Sequence, residues 1–292
     1  MNRVLELTPE DMTVTVEAGI TLGVLQAELA RHRQWLPIDP PNSATVSIQE
    51  MLSRNLSGPR RYGYGTIREH LIGMKVILAD GRIIKSGGKV VKNVAGYDLA
   101  RLFIGARDSL GVIVEATFKL RPLPETETFV SAKVPLERLA ATLRGLLSSP
   151  VTPVVIDAHR LEKSAPAEGR HSPSAPGASV SVVLGFAGTR EEVDWQLNEA
   201  RGLGFDTSAT LDYEPAFWNE PGAVKWASFL PSRLIEAIGD LGPRPFVARA
   251  GNGVIYFRGE PLRNVEQKSQ GDLMRRFKEA YDPKSILPEF SA

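Results

Sequence analysis

Apolar and polar positions follow two periods along the chain, the alternating one typical of strands and the three-to-four-residue one typical of helices. Residues 12–16 alternate and are β-branched, which predicts a strand. Thr21 then precedes three leucines at helical spacing, so we predict a helix capped by Thr21. Residues 74–87 form two β-rich runs around Asp80 and Gly81, the strongest hairpin signal in the chain.

The pattern changes after residue 124, where a strand-like run ends in closely spaced prolines. The second half repeats strand, helix and strand, and it includes a capping box formed by Thr189 and Glu192. We therefore predict an α+β protein with domains at 1–124 and 125–292, the second an antiparallel, ferredoxin-like sheet with helices on one face. The Pro-, Ser-, Ala- and Gly-rich residues 163–179 predict a flexible loop within it.

Composition excludes several classes of function. The 35 basic and 34 acidic residues give a net charge of +1, which disfavours a nucleic-acid partner. The sequence contains no cysteine, and therefore no disulfide, thiolate metal site or directly ligated iron–sulfur cluster. No transmembrane segment and no secretory leader are evident, so we expect a cytoplasmic protein.

The chemistry-bearing residues do not form a familiar catalytic motif. The four histidines, which are far apart, have no second metal ligand at the usual spacing, so we expect no metal site. Ten of the 26 glycines lie between Gly58 and Gly111. Glycines at this density suit backbone N–H groups that must approach a phosphate-bearing cofactor, although tight turns in a crowded sheet would also explain them. Both explanations stay open on composition alone.

Four motifs carry a resemblance to a known family. They are Pro-x-Asp-Pro-Pro at 37–41, Leu-Ser-Gly-Pro-Arg-Arg at 56–61, Val-x-Lys-Asn-Val-Ala-Gly-Tyr-Asp-Leu at 90–99 and Asp-Pro-x-x-Ile-Leu at 282–287. With them the chain resembles the vanillyl-alcohol-oxidase and p-cresol-methylhydroxylase (PCMH) superfamily of FAD-binding proteins, and within it the FAD-binding subunits of glycolate oxidase. The resemblance is close up to about residue 124 and looser beyond.

The resemblance implies a fold, a cofactor and a site. It implies a PCMH-type FAD-binding subdomain, followed by the FAD-linked oxidase cap domain, with FAD as the cofactor. Pro40 and Pro41 would begin the first cofactor loop. The residues that it places along the pyrophosphate and flavin are Ser47, Arg54, Asn55, Ser57 and Gly58. Those that it places beside the flavin and the adenine are Ser109, Leu110, Gly111, Val112 and Ile113. It identifies no catalytic residue.

The sequence also departs from the family pattern. The chain begins where a Gly-rich pyrophosphate-loop subdomain would be ending, which suggests either a truncated relative or a start assigned downstream of the true one. Gln49-Glu50 replaces a Gly-Gly pair, and Asp108 replaces a glycine. A carboxylate near a phosphate costs on the order of 1 kcal/mol. Nearby arginines, namely Arg54, Arg60, Arg61 and Arg107, could neutralise the acids.

Two functions follow as alternatives. In the first, the chain is an FAD-binding subunit of a glycolate-type 2-hydroxy-acid oxidoreductase, whose partners are a second FAD-containing subunit and an iron–sulfur subunit. Such a complex would be cytoplasmic or attached to the inner membrane through its partners. In the second, the chain is a degenerate relative that holds no FAD and serves as a structural subunit of the same complex. The charges at Glu50 and Asp108 predict weak retention of flavin by the isolated chain.

Overall fold

A computed structural model describes residues 1–88, 99–161, 179–262 and 271–289 of the chain. The motif at 90–99 lies outside the described residues except for Leu99. The predicted loop 163–179 lies outside them too, except that Ser179 begins a strand.

The described residues form fourteen strands and ten α-helices. The strands are β1 Val4–Thr8, β2 Thr13–Glu17, β3 Gln34–Trp35, β4 Leu71–Ile77, β5 Ile83–Gly87, β6 Val112–Lys119, β7 Arg121–Pro122, β8 Thr126–Pro135, β9 Val155–Arg160, β10 Ser179–Gly188, β11 Thr207–Ala209, β12 Val224–Ser228, β13 Phe246–Arg249 and β14 Val254–Arg258. The helices are α1 Leu22–Ala30, α2 Ile48–Ser53, α3 Arg61–Tyr64, α4 Ile67–His70, α5 Ala100–Phe103, α6 Leu136–Leu147, α7 Arg190–Gly202, α8 Tyr213–Trp218, α9 Pro231–Asp240 and α10 Gly271–Tyr281.

The first compact unit is built on a five-stranded antiparallel sheet with the order β1-β2-β6-β4-β5. The predicted strand, helix and hairpin are all present as β2, α1 and the β4–β5 pair, and the Thr21 side chain accepts the predicted capping bond from Val24 N–H. Gly81 closes the hairpin at φ +83°, a conformation that favours glycine. Leucines of α1 and one face of the sheet share a single hydrophobic core.

The first unit also takes up the last described residues. It comprises residues 1–58, 64–123 and 268–292, while residues 59–63 and 124–267 form the second unit. The predicted division placed the C-terminal helix with the second domain. Instead, Phe277 and Tyr281 of α10 pack against the core of the first unit, and the Tyr281 ring meets that of Phe103 edge to face. Burial of these aromatic side chains accounts for the difference.

The second unit is built on a seven-stranded antiparallel sheet, with the order β11-β8-β10-β9-β13-β14-β12. Helices α6, α7 and α9 pack on one face, and the predicted Thr189–Glu192 capping box begins α7. The prediction of helices on one face only was wrong for α8. Its Tyr213 and Phe217 pack with Val183 and Val247, which alternate with the residues facing the other helices. The α+β fold class is confirmed.

Candidate functional site

The first unit brings together two chain segments that the sequence analysis placed at a cofactor. Ser47 begins α2, and its hydroxyl accepts a hydrogen bond from Glu50 N–H at 3.1 Å. The loop 105–111 lies at the other end of α2, where Gly105 N–H donates to Leu52 O at 2.9 Å and Arg107 N–H to Ser53 O at 2.8 Å. The loop therefore satisfies carbonyls at the C-terminal end of α2 that the helix leaves open.

The predicted cofactor residues differ widely in exposure. Pro40, Ser57, Gly58, Ser109, Leu110, Gly111 and Ile113 are buried, Pro41 and Ser47 are half-buried, and Arg54, Asn55 and Val112 are exposed. The side chains of Leu110 and Ile113 belong to the hydrophobic core. At those two positions only the backbone could serve a cofactor.

Two of the predicted glycines are required by packing within the protein. A Cβ at Gly58 would lie 1.7 Å from Asp39 O, and one at Gly111 would lie 2.6 Å from Val76 Cγ1. Both distances are shorter than any real Cβ contact. The crowded-sheet explanation therefore accounts for these two glycines without a ligand.

The two departures from the family pattern are in direct contact. Gln49 Nε2 donates to both carboxylate oxygens of Asp108 at 2.7 Å. Asp108 has φ +62°, in the left-handed region that favours glycine, and the preceding Arg107 has φ +50°. Burial raises the pKa of the Asp108 carboxyl, and the Gln49 amide opposes that shift. Asp108 is thus held by a neutral amide.

The neighbouring acids are paired in a different way. Glu50 forms an ion pair with Arg54 at 2.7 Å, one turn later on α2. Arg60, which could also have neutralised an acid near the cofactor, donates from Nε to Glu127 Oε1 at 2.7 Å in the second unit. Glu50 is therefore neutralised by Arg54, one of the arginines that the sequence proposed for that role.

The backbone of this site is compatible with FAD, whereas the charge of Asp108 disfavours the binding of FAD. A dinucleotide needs backbone that it can approach and no uncompensated anion beside its phosphates. The hydrogen bonds between α2 and loop 105–111 bring the backbone of the two predicted segments side by side. The Asp108 carboxylate, which bonds to an amide, adds negative charge there and would weaken the binding of an anionic cofactor.

Comparison with known proteins finds a similarity between part of this chain and FAD binding domains. Residues 1–87 match the family of FAD binding domains. In structure, the chain is similar to alkyldihydroxyacetonephosphate synthase, with a TM-score of 0.70 over 98% of this chain and 66% of that one, at 18% sequence identity. The match over residues 1–87 confirms the resemblance to FAD binding domains, and FAD is the cofactor that it indicates. The structural similarity confirms the fold.

Several relatives are similar in sequence as well. Glycolate oxidase subunit GlcD of Bacillus subtilis is 37% identical over 159 residues, which are 54% of this chain and 34% of that protein. Glycolate oxidase subunit GlcE of Escherichia coli is 33% identical, over 46% of this chain and 39% of that protein. The mitochondrial D-lactate dehydrogenase [cytochrome] of Arabidopsis thaliana is 30% identical, over 78% and 41%. The chain thus spans about a third to two fifths of the length of these relatives.

The described residues add one observation about membranes. None of the helices in this part of the chain combines the length and the apolar character that a bilayer crossing requires.

One buried charged cluster, on the face of the second sheet that α8 covers, was missed by sequence reasoning. Arg249 contacts Asp157 at 2.5 Å and both oxygens of Glu214, at 2.6 and 2.8 Å. Tyr213 donates its hydroxyl to Asp157 at 2.6 Å, and the His159 ring stacks on Tyr213 with centroids 4.4 Å apart. An acid within the apolar run VVIDA was the available signal, because such an acid needs a buried partner.

Sequence reasoning also missed the role of Lys278 in the first unit. Its ammonium is buried and contacts Asp282 at 2.7 Å and the Ser109 carbonyl oxygen at 3.1 Å. The i, i+4 spacing of Lys278 and Asp282 was visible in the sequence. Their burial was not visible, because the long-range contact with Ser109 produces it.

Proposed function

We propose that this chain is the FAD-binding subunit of a glycolate-class 2-hydroxy-acid oxidoreductase. The observation that carries the proposal is the contact between α2 and loop 105–111, which unites two predicted cofactor segments about fifty residues apart. The similarity to glycolate oxidase subunits and to D-lactate dehydrogenases supports the substrate class. Glycolate and D-lactate are both small 2-hydroxy carboxylates.

The residues that would hold the cofactor are those of α2 and the two loops beside it. Ser47 and Arg54 bracket α2, and the backbone of Ser109 to Ile113 would lie beside the flavin and adenine. Bound FAD would supply the acceptor for the hydride of the hydroxy acid, which carries both electrons, and the hydroxyl proton would be released separately. The protein would supply position and electrostatics, including the weakening charge of Asp108.

The partners that we propose are a second FAD-containing subunit and an iron–sulfur subunit. The sequence contains no cysteine, so a cluster ligated by thiolates would have to belong to another chain. Two of the relatives are named as subunits of glycolate oxidase, which supports an assembly. We propose that this assembly works in the cytoplasm or at the inner membrane through its partners.

The contact between Gln49 and Asp108 favours a second candidate function, that of a flavin-free structural subunit in the same complex. Each of these side chains satisfies the other, at 2.7 Å, where the family pattern has glycine. In this function the chain would stabilise its partners without exchanging electrons.

A flavin titration separates the two functions. The purified chain and its Q49G/D108G variant are titrated with FAD, followed by flavin fluorescence and visible absorbance. We expect weak binding by the natural chain and about five- to tenfold tighter binding by the variant, because a charge penalty near 1 kcal/mol is removed. D80N/R82Q, which removes a neutral exposed ion pair at the turn of the β4–β5 hairpin in the same unit, is the matched control and should leave the affinity within about twofold.

The same samples decide between the candidates. Binding by the natural chain, together with bleaching of its flavin by glycolate or D-lactate in the co-purified complex, supports the oxidoreductase subunit. A natural chain that takes up no FAD, alone or with partners, while the variant does, supports the flavin-free subunit. If neither protein binds FAD in any assembly, the proposed function is wrong.

A further inference from the structure

Lys278 occupies an unusual environment for an ammonium group. It lies on α10 with 6% of its surface exposed. Besides Asp282 and Ser109 O, its Nζ contacts Leu287 O at 2.9 Å and Pro288 O at 2.8 Å. Three of its four acceptors are therefore main-chain carbonyls, and they come from two distant parts of the chain. A buried ammonium has to be saturated in this way, because burial of an unpaired charge is very costly.

Asp282 keeps the ammonium in place. Its two carboxylate oxygens accept hydrogen bonds from Ile286 N–H at 2.9 Å and Leu287 N–H at 2.8 Å. Burial works against its charge, yet the bonds from Lys278 and from these two N–H groups lower the pKa of Asp282. The Asp282 carboxylate is thus ionised at neutral pH, and its bonds to Ile286 and Leu287 link it to the turn that follows α10.

The Ser109 carbonyl belongs to a loop whose conformation needs support. Arg107 and Asp108 are consecutive non-glycine residues at positive φ, each of which costs about 1 kcal/mol. On one side the loop is held by the carbonyls of α2 and by Gln49. On the other side Lys278 binds the carbonyl of Ser109, a residue that is fully buried. The loop is therefore fixed between α2 and the C-terminal segment.

We propose that Lys278 is a positioning residue of the cofactor site, which fixes loop 105–111 through the Ser109 carbonyl in the conformation that FAD binds. The proposal rests on the proposed function, since it assigns the loop to the cofactor. It also gives the C-terminal segment a part in cofactor binding, although that segment lies more than 150 residues beyond the loop.

The test compares K278M with K75M in the full chain. Lys75 forms a partly exposed ion pair with Glu115 on the sheet of the same unit, so K75M also removes one lysine charge from that unit. We expect K278M to bind FAD about tenfold more weakly, the size expected for one charged hydrogen bond, and K75M to bind as the natural chain does. Amide hydrogen exchange without FAD should rise in residues 105–111 of K278M, with α1 and β2 unchanged.

The outcomes test the role of Lys278 separately from the proposed function of the chain. The proposal is overturned if K278M keeps the FAD affinity of the natural chain and the same hydrogen exchange in the loop. It is also overturned if hydrogen exchange in K278M rises uniformly over the first unit, because that result indicates a general structural role. If the natural chain binds no FAD, the proposed function fails first. Loop exchange then decides whether Lys278 holds the loop. If K278M does not fold, K278R and D282N replace it, and the same local rise in exchange is required of them.

Discussion

The two units each contain a buried ion network, and the two networks differ in how completely they are satisfied. In the first unit, Lys278 and Asp282 form a neutral pair whose surrounding acceptors and donors all come from the protein. In the second unit, Arg249 faces the two carboxylates of Asp157 and Glu214. Within the described residues, Asp157 Oδ1, Arg249 Nε and His159 Nδ1 are buried without a hydrogen-bond partner.

The difference between the two networks appears in the pKa values of their ionisable side chains. Burial raises the pKa of Asp157 to about 6, in spite of Arg249, and the charge of Glu214 adds to the rise. Burial also lowers the pKa of His159 to about 4. In the first unit, by contrast, hydrogen bonds lower the pKa of Asp282 despite its burial. A network with matched charges holds a loop in place, whereas one with surplus carboxylate makes stability depend on pH.

The largest effect is expected from R249M. It leaves Asp157 and Glu214 buried without a cation, and loss of one partner of a buried pair costs about 3–5 kcal/mol. Trp195, Trp218 and Trp226 all lie in the second unit, so urea denaturation followed by tryptophan fluorescence reports mainly on that unit.

The control for R249M is R233M in the same unit. Arg233 forms an exposed pair with Glu236 at 3.8 Å, and its loss should cost less than about 1 kcal/mol. Equal losses in the two variants would show that the buried network contributes no more than a surface pair does.

The dependence of stability on pH separates the two titrating groups of the cluster. Asp157, whose pKa is raised from 3.8 to about 6, stabilises the fold at low pH and loses that contribution as the pH rises from about 4 to about 6. His159, whose pKa is lowered from 6.5 to about 4, contributes stability at high pH that is lost as the pH falls from about 6.5 to about 4. Each contribution is about 3 kcal/mol, so they nearly cancel.

Single variants should separate the two opposing effects of pH on the free energy of unfolding. In H159F, which keeps an aromatic ring on Tyr213, the free energy of unfolding should fall between pH 4 and pH 6. In D157N it should rise over the same range. Urea denaturation at several pH values measures both. The assignment fails if the two variants share the sign of their slope.

How far the sequence predicts this structure depends on the range of the interactions. Local signals predicted the Thr21 and Thr189 caps and the hairpin at Gly81 correctly, because neighbouring residues determine them. The aromatic contacts of α10 and the ion pairs of Arg249 join positions that are far apart in sequence. No local sequence pattern predicts such contacts. At the candidate site, the sequence identified Gln49 and Asp108 as departures. That these two side chains contact each other is visible only in the structure.

The smallest effect is expected at Asp108, a half-buried carboxylate that has an amide partner in place of a cation. D108G removes the carboxylate and suits φ +62°, whereas D108A removes the same group but keeps a Cβ in the left-handed region. D108A should be less stable than D108G by about 1 kcal/mol, as measured by urea denaturation of the first unit. Both variants already lack the carboxylate that Gln49 binds, so Q49A should change their stabilities equally and the gap between them should persist. A gap that closes there would mean that Gln49, and not the backbone, determines the cost of a side chain at this position.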